Sequence, residues 1–128
     1  MFDLPTDKPK GAKHGLYALG RLPVGTMNKT ETRFSVYLEY KRLQREILWW
    51  RFDAVKLRLA ASTFISVDFA VLQANGELHM IDVKPAKHLI EEDAKSKMKI
   101  AADIFPLRFF YAFANSRTRT DDWTIEEI

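Results

Sequence analysis

Hydrophobic and polar positions along this chain change period several times, and each change marks an element. From Asn28 to about Gln44, Phe34, Tyr37, Leu38 and Lys41 recur at three- and four-residue spacing, which predicts a helix. In "EILWWRFDAVKLRLAAS" the period shortens. Ile47, Trp49 and Arg51 alternate with Leu48, Trp50 and Phe52, and Val55, Leu57 and Leu59 alternate with Lys56 and Arg58, so two strands are expected. A third strand runs from Phe64 to Leu72 and a fourth from Glu77 to Lys84, with a turn at Asn75-Gly76 and Pro85 as the stop. The helical period returns over Leu89–Phe105, where Ile90, Ala94, Met98, Ala101 and Phe105 form one stripe ended by Pro106. "LRFFYAFA", Leu107–Ala114, is a strong strand, and "DWTIEEI" reads as a short edge strand. Residues 1–25 carry Pro5, Pro9, Gly11, Gly20, Pro23 and Gly25 and are read as a basic, irregular arm before one domain over 26–128.

The hairpin at Asn75-Gly76 admits two registers. A two-residue loop sets Asp68 across from Val83 and puts Asp68 and Asp82 on opposite faces. A three-residue loop, Ala74 to Gly76, with Gly76 left-handed, pairs Gln73 with Glu77 and sets Asp68 opposite Asp82 and Ser66 opposite Lys84. Residues 65, 67, 69 and 71 with 79, 81 and 83 then share a face that is apolar but for His79. That consistency favours the three-residue loop.

Composition narrows the class. A chain of 128 residues suits one domain, and 47% hydrophobic with 29% charged residues are ordinary globular values. No cysteine is present, so disulfides and thiolate metal sites are excluded. "MFDLPTDKPKG" has no apolar signal region and no run approaches the ~20 residues of a bilayer span, so a cytoplasmic protein is expected. Residues 1–45 hold nine Lys/Arg against four Asp/Glu, and the calculated pI is about 9.2. A basic front end suits an anionic partner, nucleic acid being the commonest.

The register has a chemical consequence. Directly opposed side chains have β-carbons about 4.5–5.5 Å apart, so two carboxylates there repel and raise one another's pKa unless a cation lies between them. Oxygen ligands of that kind suit Mg²⁺ or Mn²⁺ rather than Zn²⁺. Lys84 lies two residues along the same face. The competing reading is a surface hairpin with Asp82–Lys84 as a solvated ion pair, which Ala70, Leu72 and Met80 on that face make awkward.

An acidic residue in one strand, a turn, then acidic-x-Lys in the partner strand resembles the motif of the PD-(D/E)XK nuclease superfamily. Here it reads Val67-Asp68, thirteen residues, then Asp82-Val83-Lys84. Over about residues 26–127 the chain is similar to small bacteriophage-encoded endonucleases of that superfamily, of the endonuclease I-like or Holliday-junction-resolvase-like kind. Val67 stands where the superfamily name has Pro, and Pro85 follows Lys84 where Gly is usual. The resemblance implies an α/β domain of restriction-endonuclease-like architecture, a mixed central sheet flanked by helices, and the pattern along the chain is read as the order α-β-β-β-α-β. It implies Mg²⁺, with Mn²⁺ substituting, held by Glu31, Asp68 and Asp82, with Glu39 the alternative to Glu31. Lys84 would hold the attacking water or the phosphate, and Lys97 matches a lysine that recurs after the motif.

Several of these residues have other readings. Glu31 lies three after Asn28, the spacing of a capping box. Lys97 sits between Ala94 and Ala101 on the apolar stripe, from which a long side chain can snorkel. Lys95 and Lys99 are read as a solvated or phosphate-facing edge. One of Trp49 and Trp50 is core, and the other is rim packing or a stacking surface. His14, His79 and His88 have neither metal spacing nor a partnered nucleophile. There is no Gly-rich phosphate loop ending in Lys-Ser/Thr and no paired histidines flanking a Glu.

The expected function is Mg²⁺-dependent hydrolysis of DNA phosphodiesters, structure-selective if the junction-resolvase likeness holds. Two symmetric cuts at a junction would favour a homodimer. The alternatives are a non-catalytic nucleic-acid-binding protein and a phage protein that binds a host protein.

Overall fold

The structure, a computed structural model, describes residues 25–128, so the expected N-terminal arm lies outside the described residues except for Gly25. Helix α1 spans Lys29–Leu43, and strands β1 Ile47–Phe52, β2 Lys56–Ala60, β3 Thr63–Ser66, β4 Phe69–Gln73 and β5 Leu78–Lys84 follow. After a 3-10 turn at Lys87–Leu89 come α2, Glu92–Ile104, and strands β6 Arg108–Ala114 and β7 Trp123–Glu127. The fold is mixed α/β: a five-stranded sheet ordered β1-β4-β5-β6-β7, a separate β2-β3 hairpin, and two helices. Only β5–β6 is parallel, and α2 makes the crossover that a parallel pair requires.

The expected order α-β-β-β-α-β is corrected. Five strands lie between the helices, not three: β1 and β2 are separate strands, and the long third segment breaks before Phe69 into β3 and β4. Asp53 adopts φ 52° after β1, and there the chain leaves the sheet. It folds back as β2–β3 and rejoins at Asp68, whose carbonyl accepts the Asp53 N–H at 2.8 Å. Ser66 consequently pairs with Lys56 in the small hairpin, not with Lys84. The "DWTIEEI" segment is the edge strand β7, antiparallel to β6.

Apolar periodicity dictates the layers. Phe34 and Leu38 of α1 pack on Ile47, Trp50, Phe69, Val71, Ile81, Val83, Phe110 and Ala112 on one face of the sheet. Met98 and Ala101 of α2 pack with Ala70, Met80, Phe109, Tyr111 and Phe113 on the other, joined by Ile65 and Val67. Ile65 and Val67 thus leave the face shared by Phe69 and Val71, a second correction that follows from the break at Asp68. No helix among the described residues is long and apolar enough to cross a membrane.

Candidate metal and phosphate site

The β4–β5 turn sets the site. Gly76 takes φ +92°, its N–H bonds to the Gln73 carbonyl at 2.9 Å, and Gln73 N–H bonds to the Glu77 carbonyl at 2.8 Å. The three-residue loop is therefore present, and Phe69–Ile81, Ala70–Met80, Val71–His79 and Leu72–Leu78 follow in register. Continued by one residue, this register brings Asp68 opposite Asp82. Gln73–Glu77 is a hydrogen-bonded pair and such pairs alternate, so Asp68–Asp82 falls at a non-bonded position, where side chains approach most closely.

The next rung would pair Val67 with Val83, but the backbone has already diverged towards β3. Asp68 takes that place: its Oδ2 accepts the Val83 N–H at 2.8 Å. Lys84 Nζ reaches Asp82 Oδ2, also at 2.8 Å, and the two side chains are only 28% and 15% exposed. Tyr111 is the partner of Asp82 across the parallel β5–β6 pair.

The electrostatics follow from this crowding. Burial, then the charge of Asp82, then that of Glu31 push the Asp68 carboxyl up to about 9, assisted by a hydrogen bond with Asp82 and opposed by the Val83 N–H. Without a cation, Asp68 is therefore a neutral acid at pH 7. Burial works to lower the Lys84 ammonium, but the charge and hydrogen bond of Asp82 and the charge of Asp68 outweigh it and raise its pKa.

These groups line a cleft of about 310 Å³ with Ser66 and Phe64 of β3 and Asp93, Ala94 and Lys97 of α2. Lys97 faces it while pairing with Asp93 at 3.6 Å. Lys95 and Lys99 line a separate pocket of about 180 Å³ with Lys87 and Tyr111. Of Lys95, Lys97 and Lys99, Lys97 is brought to the carboxyl pair and the other two are not.

Glu31 completes a capping box: its Oε1 accepts the Asn28 N–H at 2.8 Å, and its own N–H bonds to Asn28 Oδ1 at 2.8 Å. Its charge still reaches Asp68. Glu39 is held elsewhere, by both guanidinium contacts of Arg42 at 2.8 and 2.6 Å and by Trp50 Nε1 at 3.0 Å. The Arg42 hydrogen bonds chiefly hold its carboxyl below the usual range. Glu31 is thus the helix carboxylate that the site feels. Trp50 is the core tryptophan, while Trp49 is half-buried at the edge of the α2-side cluster.

Among the described residues no group of three or more His, Cys, Asp or Glu converges as a metal-holding set. Mg²⁺ does not require one, since it usually keeps several waters and takes one or two carboxylates plus substrate phosphate. Two opposed carboxyls, one forced neutral by the other's charge and its own burial, fit such an ion. Cation binding would relieve the repulsion that keeps Asp68 protonated.

Sequence reasoning missed Phe64, Asp93 and Tyr111. Asp93 is visible as the residue four before Lys97, and the sequence pattern puts Ser66 on this side, though against the wrong partner. Tyr111 requires the parallel register, for which the sequence carries no local signal. No family model matches the chain, and no match was found among curated proteins or solved structures.

Proposed function

We propose that this protein is a metal-dependent endonuclease that hydrolyses DNA phosphodiester bonds, on a restriction-endonuclease-like arrangement of its α/β elements. The observation that carries this reading is the neighbouring Asp68 and Asp82 carboxyls in a cleft shared with Lys84 and Lys97. Asp68 and Asp82 would hold Mg²⁺ or Mn²⁺, with Glu31 adding negative potential from α1. The bound ion would supply Lewis acidity towards a phosphoryl oxygen and lower the pKa of a water. Asp68 must release its proton to take up a cation, and Lys84 must release Asp82. Lys84 Nζ, freed from that ion pair, can then donate to a non-bridging phosphate oxygen or position the water. In the hydrolysis, water oxygen bonds to phosphorus and releases a proton, the bridging P–O bond breaks, and the leaving oxygen takes up a proton, so none is gained or lost overall. Lys97 at the cleft wall would neutralise a neighbouring phosphate, giving affinity that falls with salt.

One observation favours a second reading. Asp68 on Val83 N–H and Asp82 on Lys84 leave both carboxyls with partners, as architecture alone would require. On that reading the protein binds nucleic acid or another protein without cutting.

The deciding experiment incubates the protein with labelled linear duplex, single strand and four-way junction in Mg²⁺, Mn²⁺ or EDTA, beside Asp82→Asn. Metal-dependent cutting that Asp82→Asn abolishes is expected. No cutting of any substrate, together with no divalent-metal binding by calorimetry, would leave the second reading.

A further inference from the structure

The β2–β3 hairpin departs from the main sheet and forms one wall of the carboxyl cleft. Three of its features point to a ligand. Phe64 lines the cleft that holds Asp68, Asp82 and Lys84, yet it is 40% exposed, unusual for a large apolar ring on a wall that also contains buried Ile65. The strand opposite presents cations to it: Arg58 is its direct partner in the hairpin, and Lys56 Nζ lies 4.9 Å from the ring centroid. Both basic residues are exposed, and Arg58 Nε bonds to the Ala60 carbonyl at 3.3 Å rather than to a carboxylate. An exposed aromatic ring set among basic side chains, beside a site for phosphate, is the pairing used to bind single strands: the ring takes a base and the cations take the backbone.

Resting on the proposed phosphate site, we infer that Phe64, with Lys56 and Arg58, is a stacking platform for an unpaired nucleobase adjoining the phosphate held by Lys84 and by the cation at Asp68 and Asp82. The substrate class that follows is single-stranded DNA, or the unpaired part of a branched one, rather than continuous duplex. Cleft size agrees. About 310 Å³ is at the small end of ligand pockets, suited to one nucleotide rather than to a duplex gripped whole. A base in a continuous duplex is already stacked on both faces and cannot reach a side-chain ring without leaving the helix.

The test measures binding without cleavage. Fluorescence anisotropy in EDTA compares a labelled single-stranded oligodeoxynucleotide with its duplex, for the wild type and for Phe64→Ala, Phe64→Leu and Phe64→Trp. Leu keeps the apolar contact with the hairpin but has no π face, and Trp keeps the face. Ala and Leu are expected to weaken single-strand binding about tenfold, with Trp near wild type and the duplex affected much less. Circular dichroism melts confirm that each variant is folded. Unchanged single-strand affinity in folded Leu and Ala variants, or equal losses on duplex, overturns the inference. If the wild type cuts DNA while Phe64 proves silent, the stacking platform fails and the nuclease reading stands. Phe64-dependent single-strand binding by a protein that cuts nothing keeps the platform and removes the nuclease. A wild type that neither binds nucleic acid in EDTA nor cuts it in Mg²⁺ removes both.

Discussion

Asp68 Oδ2 accepts the Val83 amide proton at 2.8 Å, so a side chain occupies the ladder position that the diverging backbone leaves open. The two halves of this role can be separated by mutation. Asp68→Asn keeps an oxygen acceptor and removes the charge conflict with Asp82, so its thermal midpoint at pH 8 should match or exceed the wild type in EDTA. Asp68→Ala leaves the Val83 N–H unsatisfied and should cost about 1–3 kcal/mol by urea denaturation. Equal losses in the two variants would show that the hydrogen bond is not what Asp68 contributes.

The pH dependence has a definite sign. An unfolded Asp ionises near its ordinary value, 3.8, whereas folded Asp68 holds its proton up to about 9. Between those limits the folded state binds the extra proton, so stability from this group is greatest at low pH and declines as pH rises towards 9, with a slope of at most about 1.4 kcal/mol per unit. Melts of the metal-free wild type minus those of Asp68→Asn, from pH 5 to 9, isolate this group. The difference should fall as pH rises, the wild type losing ground to Asp68→Asn, and recover when Mg²⁺ is added. A flat difference would mean that Asp68 is ionised in the folded protein.

Tyr111 is 7% exposed and its buried hydroxyl has no hydrogen-bond partner among the described residues. Burial, with the charge of Asp82, raises its pKa, so the phenol remains protonated. Removing an unsatisfied buried hydroxyl deletes its desolvation cost and leaves the ring packing in place. Tyr111→Phe should therefore be neutral or stabilising by about 1 kcal/mol in urea titrations. A clear loss of stability would reveal a partner for the hydroxyl, such as a buried water.

Glu31 serves the helix through its oxygen and the site through its charge. Glu31→Gln retains an acceptor for the Asn28 N–H, so its melting temperature should stay within a degree or two of wild type, whereas Asn28→Ala should cost about 1 kcal/mol. Because Gln lacks the charge that reaches Asp68, calorimetry should find Mg²⁺ binding several-fold weaker in Glu31→Gln. Unaltered metal affinity would confine Glu31 to capping.

Much of this was legible in the sequence because the informative signals were local. Asn28 and Glu31 announce a helix start three residues apart, and the apolar stripe Ile90 to Phe105 is the buried face of α2. Gly76 at positive φ fixed the register that opposes Asp68 and Asp82. The break before Phe69 was not legible. Ile65, Val67, Phe69 and Val71 recur at period two straight through the break, and what divides the segment is the excursion that starts at Asp53 and pairs β3 with β2 instead of β5. His79 on an apolar face has a non-local explanation too: its ring lies 4.5 Å from that of Phe110, and Glu77 is 3.0 Å from its Nε2.

The hairpin that opposes the two carboxyls also bears on the order in which the molecule assembles. Asp68 and Asp82 are joined by a short local loop, so they can meet early, while both are still hydrated and charged. Burial comes only when β6 arrives on the far side of β5 and the β2–β3 wall closes with α2, contacts made between distant parts of the chain. On this order Asp68 would take up its proton late, after the hairpin has formed. Raising the pH from 6 to 9 should then quicken unfolding more than it slows folding, and chevron plots at the two values would read this directly. The feature that readies the cleft for a cation would also make the metal-free protein kinetically short-lived in alkali.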